Sequence, residues 1–100
     1  MTLEEITNGI QQKLGEDCGV RRTLLLDFGD EGVIYVDGHQ VPTVVNNERR
    51  DDADAVMKVT KENFEKIALG ELNPQLAFLT GKIKLKGDMS AALEFGPALA

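Results

Sequence analysis

A chain of one hundred residues has room for one domain. Leu, Ile, Val and Phe supply 29 of those residues, well above the roughly 20% below which chains stay disordered, so collagen-like, coiled-coil and low-complexity classes are excluded. Eleven Lys and Arg against seventeen Asp and Glu leave a net charge of −6, the wrong sign for gripping a nucleic-acid backbone.

Thr2 and Glu5 have the spacing of a capping box. Leu3, Ile6, Ile10 and Leu14 then recur at three and four residues, one apolar face of a helix over 3–14 that Gly15 ends. The period changes at 23–28, where Leu24, Leu26 and Phe28 point one way and Leu25 and Asp27 the other. A turn over 29–32 leads into a second strand over 33–36, and a turn over 37–40 leads past Pro42 into a short third strand over 43–47. These three strands make an antiparallel meander. The polar stretch 46–54 reads as a solvated connection. Ala55, Met57 and Val59 alternate with Val56 and Lys58, a fourth strand, and Thr60 caps a helix with Phe64, Ile67 and Ala68 inward. Asn73 and Pro74 are cap and first position of a short helix over 74–80. Lys82, Lys84 and Lys86 alternate with Ile83 and Leu85, a half-exposed fifth strand, and Asp88 caps a last helix through Met89, Ala92 and Leu93. The order α-β-β-β-β-α-α-β-α describes a single α+β domain over 1–100.

Groups that could carry chemistry are sparse. His39 sits in a turn, and Cys18 has no second histidine or base to activate it. Neither has a companion at metal-ligand spacing, so zinc and haem are set aside. Gly81 and Lys82 resemble the tail of a phosphate loop, but Ile83 replaces its Ser/Thr and Leu76 its leading glycine. Asp51, Asp52 and Asp54 read as an acidic solvated loop. No catalytic constellation, metal or cofactor is expected. One cysteine forms no internal disulfide, the first residues are acidic where a signal peptide is basic, and the longest apolar run is 33–36. A cytoplasmic protein with at most transient membrane contact is the expectation.

What stands out is surplus apolar surface late in the chain. Leu72, Leu76, Ala77, Phe78 and Leu79 crowd one short helix, so that it is apolar over most of its circumference and should be covered on several sides. The nearly uncharged tail 89–100 adds Met89, Leu93, Phe95 and Leu99. These two segments are expected to form the wall and lid of an apolar pocket, with Leu76, Phe78, Leu79, Met89, Leu93 and Phe95 as its ligand-facing residues.

The stretch 70–89 carries Gly70, Leu72, Asn73, Pro74, Ala77, Phe78, Gly81, Lys82, Ile83, Lys84, Leu85, Gly87, Asp88 and Met89 in an order that resembles the sterol carrier protein type-2 family. The resemblance is strong over 54–93 and holds in layout before that. It implies a five-stranded mixed sheet backed by helices, with an apolar tunnel between sheet and helices that takes lipids. It also implies a non-catalytic lipid-binding carrier of fatty-acyl, sterol or phospholipid-type ligands. The alternative is a small accessory module that docks on a partner enzyme, one that modifies lipids. The chain departs from eukaryotic members in lacking a peroxisomal C-terminal tripeptide and in its short C-terminal segment.

Overall fold

The computed structural model describes residues 2–99, with side chains through Gly96. Helix α1 (Leu3–Leu14) opens on the expected capping box: the Glu5 amide donates to the Thr2 hydroxyl at 3.1 Å while the Glu5 carboxylate accepts from the Thr2 amide at 2.9 Å. Its apolar face buries Ile6, Ile10 and Leu14. Strands β1 (Thr23–Asp27), β2 (Val33–Asp37) and β3 (Val44–Asn46) form the antiparallel meander, with a single 3-10 turn at Gly29–Glu31 between the first two. Strand β4 (Ala55–Val59) pairs parallel with β1, and β5 (Ile83–Gly87) pairs antiparallel with β4 at the sheet edge. The sheet order is β3-β2-β1-β4-β5, a mixed sheet. Helices α2 (Lys61–Ala68) and α3 (Pro74–Leu79) precede β5, and α4 (Met89–Leu99) follows it.

Strand parity divides the apolar residues between two faces. Leu24, Leu26, Ile34, Val36, Ala55, Val59 and Ile83 face the helices and share one core with Ile6, Ile10, Ala91, Ala92 and Phe95. Phe28 closes one end of that core against the Phe64 ring of α2, with centroids 5.4 Å apart. Ala68, expected inward, is exposed, because α2 ends there and its last turn leaves the sheet.

The opposite face carries a smaller cluster of Leu25, Val33 and Tyr35, packed with Ala53 and Val56. Its cover is the connection over 47–54. Because β4 lies on the far side of β1 from β3, this segment must cross the sheet, and it does so over Leu25. Asn47 donates to the Val33 carbonyl at 2.9 Å, Arg49 pairs with Asp27 at 3.0 Å and Arg50 lies over the Tyr35 ring. Polar and solvated as expected, the segment also roofs a fully buried leucine.

Helix α3 differs most from its expected setting. Only Ala77 is buried, whereas Leu76, Phe78 and Leu79 are exposed. Six residues held at one end by the Asn73 cap and at the other by the turn at Thr80 and Gly81 make a helix too short to be wrapped by neighbours. It rests on β5 through Ala77, and its remaining apolar side chains stay at the surface.

Candidate functional site

Two of those uncovered side chains, Phe78 and Leu79, border a groove of about 420 Å³ between α3, α4 and strands β4 and β5. Met57 of β4 with Ile83 and Leu85 of β5 form its floor. One wall is α3, through Pro74, Gln75, Phe78 and Leu79, and the other is α4, through Met89, Ala92 and Leu93. Gln75 is the single polar side chain among these lining residues. The groove opens to solvent along its helical rim, where Leu79 is 77% and Leu93 69% exposed. Its volume lies in the range of roughly 300–1,000 Å³ usual for small-molecule sites. An apolar trough of this kind can take a hydrocarbon ligand by burial and dispersion, and it offers little to read a polar one.

Of the six residues expected to face a ligand, Phe78, Leu79, Met89 and Leu93 meet around this groove. Leu76 and Phe95 do not line it. Leu76 lies on the solvent side of α3, three residues from Leu79 but turned away from the floor, and is 58% exposed. Phe95 is fully buried in the main core, because α4 turns that face onto β1 and β4 rather than onto the groove. Sequence reasoning missed Met57, Pro74, Gln75, Ile83, Leu85 and Ala92. Strand parity was a usable signal for three of these, since Met57, Ile83 and Leu85 share the face on which the helices lie. Side chains of the tail beyond Gly96 lie outside the described residues, and so does that part of the expected lid.

An ionic clasp positions the α4 wall. Gly87, at φ +83°, turns the chain sharply out of β5; a Cβ there would lie 2.5 Å from the Asp54 carbonyl oxygen. The Asp88 amide donates to that same carbonyl at 2.7 Å. The Asp88 carboxylate accepts from the Ser90 amide and hydroxyl and pairs with the Arg22 guanidinium. Arg22 also lies 3.6 Å from Asp54 and 3.6 Å from Glu94, one and a half turns along α4. Asp54 itself accepts from the Thr23 amide and hydroxyl, so it is tied to the start of β1 rather than being a member of a loose acidic loop.

The Ser90 hydroxyl, then the Arg22 guanidinium, hold the Asp88 carboxyl down at about 2, from an ordinary 3.8. A depressed carboxyl stabilises the fold above its unfolded value and loses that contribution as pH falls through the folded one. The hold on α4 is therefore expected to weaken between about pH 4 and about pH 2. Following the Asp88 carboxyl carbon by NMR during acid titration checks this. Arg22→Gln should raise its midpoint only part of the way to 3.8, because the Ser90 bonds remain.

Other candidate chemistry is placed apart from the groove. His39 is exposed, with Nε2 4.0 Å from Asp54. Cys18 is a half-buried free thiol whose amide donates to the Thr43 hydroxyl at 3.0 Å. Among the described residues no three His, Cys, Asp or Glu side chains group as a metal site, and no helix is long and apolar enough to cross a membrane.

Comparison with known proteins agrees with this architecture. Residues 5–100 match the family model described as the SCP-2 sterol transfer family. Human hydroxysteroid dehydrogenase-like protein 2 is 38% identical over 80 residues, which is 80% of this chain and 16% of that protein. The chain thus corresponds to a small part of that relative's length. Sterol carrier protein 2 like 2 from Aedes aegypti superposes with a TM-score of 0.81 at 24% identity, covering 93% of this chain and 92% of that one. The solution structure of palmitated SCP2L2 from the same mosquito gives 0.77 at 25% identity, covering 99% and 95%. The chain belongs to the SCP-2 sterol transfer family.

Proposed function

We propose that the chain is a non-catalytic lipid carrier that holds the hydrocarbon part of a fatty-acyl, sterol or phospholipid-type ligand in the groove between α3, α4 and β5. The observation that carries this reading is the groove itself, about 420 Å³ with nine apolar residues and Gln75 around it. The palmitated state of the mosquito relative supports it. Burying a C16 chain at about 0.8 kcal/mol per methylene yields roughly 12 kcal/mol gross. Association and ordering cost on the order of 4–15 kcal/mol, so micromolar affinity and broad selectivity follow. The free thiol of Cys18 fits a reducing compartment such as the cytoplasm.

Delipidated protein should bind a fluorescent acyl probe at micromolar concentration and release it to unlabelled fatty acid. The double variant Leu79→Ser with Leu93→Ser should lose at least about tenfold in affinity, because each residue gives a ligand apolar surface that water otherwise reaches. Absence of binding to fatty acids, sterols, phospholipids and acyl-CoA up to their solubility contradicts the reading. A second reading, an accessory module working beside a lipid-modifying enzyme, draws support from the human relative, of which this chain matches 16%. Stable association with such an enzyme, in the absence of any bound lipid, would favour it.

A further inference from the structure

A second cleft, of about 230 Å³, lies where β1 and β4 end and β5 begins. Unlike the groove it carries several charged side chains, set beside the apolar Phe28 and Val59. Lys58, Lys82 and Lys84 line it together with Asp27, Gly29, Thr60 and Gly81, in a chain whose net charge is −6. Lys58 and Lys84 are direct cross-strand partners, a like-charge pairing that destabilises a sheet unless a counter-charge sits with it. The carboxylate among the lining residues is Asp27, the β1 partner of Lys58. That carboxylate is already engaged, accepting from the Gly29 amide at 2.9 Å and pairing with Arg49 at 3.0 Å. Among the described residues Lys82 and Lys84 have no ion-pair partner.

Thr60 adds a further feature. It is the N-cap of α2, so the positive end of that helix borders the same cleft. Its hydroxyl oxygen accepts from the Asn63 amide at 3.1 Å, which leaves the hydroxyl proton to donate.

We propose that this cleft is a binding site for a phosphate-type anion, held by Lys58, Lys82 and Lys84 beside the capped start of α2. The cleft and the groove share one wall: Ile83 faces the groove, and its neighbours Lys82 and Lys84 line the cleft. A phosphorylated amphiphile spans both, an extension that rests on the lipid-carrier reading, whereas the anion site stands without it.

The test titrates delipidated, isotope-labelled protein with inorganic phosphate, dodecyl phosphate and dodecanol, at constant ionic strength, and follows amide shifts. The expected result is movement of Gly29, Thr60 and Lys82 with both phosphates and not with dodecanol. Lys82→Gln with Lys84→Gln should weaken dodecyl phosphate by at least about tenfold, the scale of lost charge-assisted hydrogen bonds, and leave dodecanol affinity unchanged. Inorganic phosphate moving these amides, with dodecyl phosphate no tighter than dodecanol, also supports the site and assigns it to a free anion. If neither phosphate moves them, or the lysine variants bind both phosphates unchanged, the anion site is overturned while dodecanol still reports on the groove. Lysine-dependent phosphate binding without dodecanol binding upholds the site and sinks the lipid reading instead.

Discussion

Replacing Phe95 by alanine is expected to destabilise the fold by about 3–5 kcal/mol, the cost of emptying a well-packed aromatic position. Phe95 is fully buried, and α4 seats it against the same core as Leu24, Leu26 and Ile34. Few of the atoms around it can move in to fill the space, because they belong to the central strands. Leu93 lies two residues away on the same helix yet is 69% exposed at the groove rim. Leu93→Ser should therefore change stability by less than about 1 kcal/mol, as exposed substitutions usually do within a margin of that order. Its effect should appear in ligand affinity. Chemical denaturation of the two delipidated variants, beside acyl-probe titration, checks the contrast. Equal losses of stability in both would mean that Leu93 belongs to the core and that the groove is closed.

Gly38→Ala is expected to be comparably damaging, at about 3 kcal/mol or more, the upper end of what overpacking a tight site costs. A Cβ at this position would lie 1.7 Å from the Val20 carbonyl oxygen and 3.1 Å from that of Arg22. Both neighbours are backbone, so no side chain can rotate out of the way. The Gly38 amide also donates to Arg22 at 2.9 Å, and its carbonyl accepts from Arg21. Relief would require parting the turn after β2 from the segment that enters β1. The damage should extend to the clasp on α4, since Arg22 is the residue that pairs with Asp88 and Glu94. Thermal unfolding of Gly38→Ala, compared with Gly9→Ala on open helix surface, measures the difference; similar melting temperatures would contradict it.

The elements were legible in the sequence because local chemistry decides them. Thr2 with Glu5, Thr60, and Asn73 with Pro74 announce three helix starts, and all three caps form. Alternation in β1, β4 and β5 assigns their faces correctly, down to the lysines of β5 pointing away from the core. What the sequence could not show is which apolar residues lack cover, since that depends on the spacing of non-neighbouring elements. Phe95 and Leu93 look alike as tail hydrophobics, but one turn angle on α4 sends the first to the core and the second to the groove. Leu76 and Leu79 share a side of α3 by counting, yet only Leu79 lines the groove, while Leu76 stays exposed and Ala77 is the helix's buried residue. The role of 47–54 as a roof over Leu25 was hidden for the same reason: it follows from β4 pairing with β1 rather than with β3.

The measurement that bears most directly on the lipid-carrier reading is where a bound chain sits. Carbon-13-labelled palmitate added to delipidated protein, followed by intermolecular nuclear Overhauser contacts to methyl groups, locates it. The account predicts contacts to methyl-bearing residues of the groove lining, among them Leu79, Met89, Leu93, Ile83 and Leu85, and none to Leu25 or Val33 beneath the 47–54 segment. Palmitate contacts confined to that other face, or saturating palmitate with no contact to the groove methyls, would contradict it.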